Sequence, residues 1–187
     1  MRIITGAAKG CRLNTLRGRS TRPTADRVKE SVFNILGAMV EGRTVLDVFA
    51  GTGNLGLEAL SRGAAWAVFI DKTTAALIKK NASHTKLAAR SEILSGDAER
   101  VLSRLDAQGR AFDLIFADPP YGANMAGSVL TFLDRGKLLA LNGIFVLEHG
   151  GFAETNLVNL ALVRRESYGV TTKVDFYQRI AWLEEKN

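Results

Sequence analysis

The strongest constraint on this chain is an alternation that begins at Thr44. Apolar runs, "TVLDVFA", "WAVFID", "SEILSGD", "FDLIFAD" and "GIFVLEH", are separated by stretches of helical spacing such as "GLEALSRG" and "TAALIKKNASHTK". Strands that alternate with helices build βαβ units and a parallel sheet. Runs as continuous as "LIFA" and "IFVL" suit strands covered on both faces. The last stretch, "LALVRRESYGVTTKVDFYQRIAWL", predicts two strands joined through a Gly-containing turn, an antiparallel hairpin that closes the sheet. The expected fold class is α/β: a doubly wound, mostly parallel sheet of seven strands.

The chain before Thr44 differs. "RIITGAAKGCRLNTL" predicts a short hairpin too small to fold alone, and "RGRSTRPT" a loop. Thr24 is the expected N-cap of a helix whose apolar stripe is Val28, Val32, Ile35, Leu36 and Met39, with Gly42 ending the region. The division is a basic extension over 1–43 and a main domain over 44–187. The formal charge is +6, and the extension carries all of it: nine Lys or Arg against three Asp or Glu, while the rest holds sixteen of each. A one-sided basic segment suits a polyanionic partner, with a merely solvated face as the alternative. No apolar run is long enough to span a bilayer or serve as a signal peptide. The single cysteine, Cys11, excludes an internal disulfide, and no Cys/His cluster has metal-site spacing. A cytoplasmic, metal-free protein is expected.

Gly51, Gly53 and Gly56 in "LDVFAGTGNLGLEAL" satisfy G-x-G-x-x-G between a strand and a helix, and Asp71 lies 20 residues beyond Gly51 at the next strand's end. Such glycines let a ligand approach the backbone, and the acid accepts from ribose hydroxyls. Alone, that pattern spells a dinucleotide. Asp47 argues otherwise: an acid just before the glycines would oppose phosphates and suits a ligand that is cationic there, such as S-adenosylmethionine. Asp97, ending the third strand in "LSGDA", can accept from an adenine amino group. Singly, Asp71 and Asp97 are readable as helix caps. Together the three acids outline an adenosine ligand along the carboxyl edge of the sheet. The expected contact set is Asp47, Phe49, Ala50, Gly51, Thr52, Gly53, Asp71, Lys72, Asp97 and Ala98.

Asp118-Pro119-Pro120-Tyr121 ends the fourth strand and holds two of the chain's three prolines. In a doubly wound sheet this turn faces the glycine loop across the crevice. An exocyclic amine of a nucleobase is a poor nucleophile because its lone pair is delocalised into the ring. Two acceptors on its two N–H groups favour the pyramidal nitrogen that attack requires. The Asp118 carboxylate and the Pro119 carbonyl can supply them, the prolines fix the turn, and Tyr121 offers a ring for the base to stack on.

"LDVFAGTGNLGLEALSRGA", "DPPY" and "TRPTADRVKESVFNIL" together resemble the RsmD-like family of 16S ribosomal RNA (guanine-N2)-methyltransferases, with the likeness running from "RIITG" to "FYQR". The resemblance implies a Rossmann-like class I fold and S-adenosylmethionine as methyl donor, with S-adenosyl-L-homocysteine as product. It implies as substrate one guanine of 16S RNA in an assembled or assembling small ribosomal subunit, and a monomeric enzyme. By resemblance Asp118, Pro119, Pro120 and Tyr121 are the catalytic tetrad, and Asp47 through Gly53, Asp71 and Asp97 the cofactor site. Arg22, Pro23 and Thr24 resemble a segment that folds over the cleft, with Arg27 facing outward. Arg12, Arg17, Arg19, Arg22, Arg27 and Lys29 are then expected to hold phosphates around an unstacked target base. His84 and His149 are expected to be structural, and Glu148 to border the base.

Three other readings compete. An N6-adenine methyltransferase of DNA or RNA shares the tetrad, but the chain has no room for a dedicated DNA-recognition domain. A nicotinamide-dependent oxidoreductase leaves Asp47 and D-P-P-Y unexplained. An RNA-binding protein with a vestigial pocket has no use for a full set of acids.

Overall fold

The structure is a computed structural model, and it describes residues 1–15, 23–120, 124–152 and 156–180. Seven strands form one sheet: β1 (Thr44–Val48), β2 (Trp66–Asp71), β3 (Ser91–Ser95), β4 (Phe112–Ala117), β5 (Leu139–His149), β6 (Leu160–Tyr168) and β7 (Thr172–Arg179). Their order is β3-β2-β1-β4-β5-β7-β6. β1 to β5 run parallel, and β7 is antiparallel to both β5 and β6. The C-terminal hairpin therefore closes the sheet as the sequence predicts.

The period of two along each strand builds two cores. Val45, Leu114, Phe116 and Val146 face α1 (Pro23–Leu36), α2 (Asn54–Ser61) and α3 (Ala75–His84), whereas Leu46, Val48, Ile115 and Ala117 face α4 (Ala98–Ala107) and α5 (Met125–Arg135). Phe33 of α1 packs on Phe116 of β4 with ring centroids 5.5 Å apart, both rings buried. Burying such a side chain contributes about 1.5–3 kcal/mol.

Two local expectations are corrected. α1 begins at Pro23, so Thr24 lies inside the first turn and is not its N-cap. Proline's fixed φ suits that first position. A 3₁₀ turn over Gly37–Val40 follows α1, with Gly37 at φ 52°, and it rephases the stripe. Val40 turns inward, and Met39 is left 51% exposed.

The N-terminal hairpin forms around an antiparallel bridge of Arg2 to Arg12: the Ile3 amide donates to the Cys11 carbonyl (2.9 Å), Gly10 to the Ile3 carbonyl (2.9 Å) and Leu13 to the Met1 carbonyl (3.1 Å). Its other amides reach α2. Ile4 and Thr5 donate to the Glu58 carboxylate (2.8 and 3.1 Å), Ala7 to the Ser61 carbonyl (2.8 Å) and Ala8 to Ser61 Oγ (2.9 Å). The hairpin is thus stitched to α2, the support that so small an element needs. Gly6 lies so close that a Cβ there would sit 1.8 Å from the Ser61 oxygen.

Candidate active site

β1 and β4 are parallel neighbours, with Val48 opposite Ala117. The glycine loop after β1 and Asp118-Pro119-Pro120 after β4 therefore leave the same sheet edge side by side. Both line one cleft of about 890 Å³, together with the tips of β2, β3 and β5, the inner side of α1, Met1 and Thr15. That volume is ample for a nucleoside-sized ligand.

The loop is held in an unusual shape. Phe49, Gly51 and Gly53 have φ of 60°, 57° and 78°, the left-handed region, which costs a non-glycine residue such as Phe49 of order 1 kcal/mol. Gly56 has another purpose. A Cβ there would lie 2.4 Å from the Phe69 ring, so this glycine lets α2 sit against β2.

Asp47 is buried (2% exposed), and its carboxylate accepts the Gly56 amide at 2.8 Å. Burial pushes the carboxyl up to about 7, the Gly56 bond opposes this, and the charges of Asp118 and Asp71 add to it. Asp71 accepts from the amides of Gly51 (2.9 Å), Thr73 and Thr74 (each 2.8 Å). Burial acts upward on its carboxyl, but these bonds outweigh it and hold the group below its usual value. Asp71 thereby pins the loop, and Oδ2, with one amide on it, keeps acceptor capacity. Asp97 caps α4 through a long 3.5 Å contact to the Arg100 amide, which leaves most of its capacity free. Ala50, Thr52, Lys72 and Ala98 also line the cleft.

Asp118 opens onto the cleft, but protein crowds it on its other sides and pushes the carboxyl up to about 6. Glu148, at the end of β5, is pushed up to about 8 by burial and then by the charge of Asp118. Burial is the first cause of all three raised carboxyls around the cleft. A cationic ligand there favours their ionised forms, and the donors and acceptors present fit an adenosyl sulfonium.

Lys29 is corrected. It is 1% exposed, ion-paired to Glu58 at 3.2 Å, and donates to the Arg2 carbonyl (2.5 Å) and Asn54 Oδ1 (2.7 Å). It cannot meet RNA phosphates; it ties the N-terminal segment to the start of α2. Arg12 and Arg27 are exposed as expected. Arg17, Arg19, Arg22 and Tyr121 lie outside the described residues. His84 is exposed at the end of α3. His149 is buried, 3.1 Å from Asp175 and edge-on to Phe152.

Two important residues escaped the sequence reading. Glu58 sits in the apolar run "LGLEAL", and a charge in such a run is the signal that could have exposed it. Asn81 is fully buried; it donates to the Thr52 carbonyl at 2.9 Å and accepts from the Asn14 amide at 2.8 Å, joining glycine loop to N-terminal segment.

The profile of the family Conserved hypothetical protein 95 matches residues 1–178. The chain belongs to that family. Conserved hypothetical protein 95 is the RsmD family that the motifs resemble. The chain is 39% identical over 175 residues to YlbH of Bacillus subtilis, covering 91% of this chain and 95% of YlbH. It is 37% identical over 151 residues to the ribosomal RNA small subunit methyltransferase D of Haemophilus influenzae, covering 79% of this chain and 78% of that one. The solved structure of yhhF from Escherichia coli superimposes with a TM-score of 0.83 at 32% identity, covering 97% and 98% of the two chains. The seven-stranded sheet with its reversed last hairpin is the class I methyltransferase fold.

Proposed function

We propose that this protein is an S-adenosylmethionine-dependent ribosomal RNA methyltransferase, and that it modifies the exocyclic N2 amine of one guanine in 16S RNA of the small ribosomal subunit. The observation that carries the reading is the adjacency of the Gly51–Gly53 loop and Asp118-Pro119-Pro120 on the tips of neighbouring parallel strands. The family and the names of its methyltransferase D relatives support the RNA class. Guanine N2 comes from the resemblance and from the chemistry below.

S-adenosylmethionine supplies an electrophilic methyl group on a sulfonium. The acids at the tips of β1, β2 and β3 grip its adenosine and balance its charge. The Asp118 carboxylate and the Pro119 carbonyl accept the two N–H groups of the amine and turn its lone pair toward the methyl. Pro119 and Pro120 hold both acceptors in advance, so that alignment accounts for much of the acceleration. Asp118 also stabilises the cationic nitrogen formed on transfer. Tyr121 stacks on the base. Arg12 and Arg27, with Arg17, Arg19 and Arg22, hold phosphates around the unstacked nucleotide, which supplies affinity without reading sequence.

The test is radiolabelled methyl transfer to small subunits from a strain lacking this enzyme, followed by mapping of the label. Label on one guanine of 16S RNA supports the reading. Binding of NAD without binding of S-adenosylhomocysteine overturns it.

A further inference from the structure

We infer that Glu148 selects guanine, its carboxylate accepting the N1–H of the target base while Asp118 and the Pro119 carbonyl hold the N2 amine. The inference rests on the guanine-N2 reading above.

The register of β4 with β5 sets Ala117 against Leu147 and so brings Asp118 beside Glu148. Glu148 follows Val146 by two residues and pairs with Val174 across β7. It therefore shares their face of the sheet, under α1. Val28 and Val32 of α1 and Val146 and Val174 of the sheet line this end of the cleft, which terminates in two carboxyls and Pro119. An apolar slot with acceptors at one end suits a flat base entering edge-first.

Glu148 is half-buried, yet among the described residues no hydrogen bond or ion pair reaches it. The acids of β1 to β3 differ: Asp47 and Asp71 are engaged by loop amides, and Asp97 caps α4, whereas Asp118 shares with Glu148 the lack of an internal partner among the described residues. A carboxyl crowded by protein and by a second carboxyl, with no internal partner, is costly to keep unless a ligand satisfies it. Its pKa, raised to about 8, is consistent with that deficit.

Guanine presents N1–H next to the N2 amine. Paired strands stand about 4.8 Å apart, a spacing that suits two acceptors meeting two neighbouring, diverging donors. 2-Aminopurine keeps the N2 amine but has a bare N1, so a carboxylate there meets a lone pair. The bound sulfonium and the N1–H donor both favour the ionised form of Glu148. Glutamine can either accept or donate and so tolerates both bases.

The test uses small subunits reconstituted with 16S RNA carrying guanine or 2-aminopurine at the mapped nucleotide. Wild-type protein is expected to prefer guanine in kcat/KM by about 30-fold, within the range of one hydrogen bond to a charged group. Glu148→Gln is expected to reduce the preference to about threefold or less, with unchanged affinity for S-adenosylhomocysteine and a Tm at pH 7 no lower than that of wild type. Glu148→Gln keeping the full preference, or wild type showing none, overturns the inference while the guanine-N2 reading stands. Failure of wild type to methylate any guanine overturns both.

Discussion

Lys29 Nζ stands 3.2 Å from Glu58 Oε2, and both side chains are buried. Glu58 also accepts Arg62 Nε at 2.8 Å and the amides of Ile4 and Thr5. One carboxylate thus satisfies a buried ammonium, a guanidinium and the first residues of the chain.

The two partners are therefore unequal. Glu58→Leu strands the Lys29 charge and two amides, and urea unfolding at pH 7 is expected to give a loss of about 3–5 kcal/mol. Lys29→Met leaves Glu58 its other partners and is expected to cost about 1–2 kcal/mol. The double variant is expected to regain only the part due to the stranded charge, because the amides of Ile4 and Thr5 remain unpaired. Recovery to the level of Lys29→Met alone would contradict this assignment.

Asp118→Ala removes an acceptor from the attacking amine but none from the acids of the first three strands. Single-turnover methyl transfer is expected to fall at least about 100-fold, the scale for loss of one preorganised charge-stabilising group. Calorimetric affinity for S-adenosylhomocysteine is expected to stay within a few-fold.

Asp47 gives a pH test. Its carboxyl in the folded protein is raised to about 7. Between the unfolded value near 3.9 and that figure, the folded state holds the extra proton. The stability this group contributes is fully present below the unfolded pKa and is lost as pH rises through 7. Asp47→Asn keeps an acceptor for the Gly56 amide and has no proton to lose. Its stability relative to wild type is expected to improve from pH 4 to pH 7, by at most about 1.4 kcal/mol per pH unit, and to level off above pH 8. A difference that is flat with pH contradicts the raised carboxyl.

Arg12 and Arg27 are exposed charges at the basic end of the chain. If they meet phosphates, Arg12→Ala with Arg27→Ala weakens subunit binding most at low salt. The slope of log K against log salt is expected to become shallower by about 2. An unchanged slope removes these two residues from the RNA surface.

Much of this was legible in sequence because it is local. The glycine loop, the acids at strand ends and the D-P-P-Y turn carry their chemistry within a few residues, and periodicity set the strands around them. The doubly wound sheet, with the glycine loop and the D-P-P-Y turn on one edge, then followed from the βα alternation. What was illegible depends on distant partners. Lys29 looked like one more basic residue of a basic extension, and only its contact with Glu58, far along the chain, turns it inward. The hairpin was legible but its anchorage was not, because the acceptors for its remaining amides lie on α2, far along the chain. Glu148 was visible as an acid at a strand tip, but its lack of an internal partner was not. Met39 failed for a smaller reason: one tight turn after Leu36 shifts the helical phase.

The most direct measurement is mass spectrometry of nucleosides from small subunits methylated in vitro by wild type and by Asp118→Ala. The account predicts one N2-methylguanosine per 16S RNA with wild type and none above background with the variant. N6-methyladenosine as the product, or undiminished N2-methylguanosine from Asp118→Ala, would contradict it.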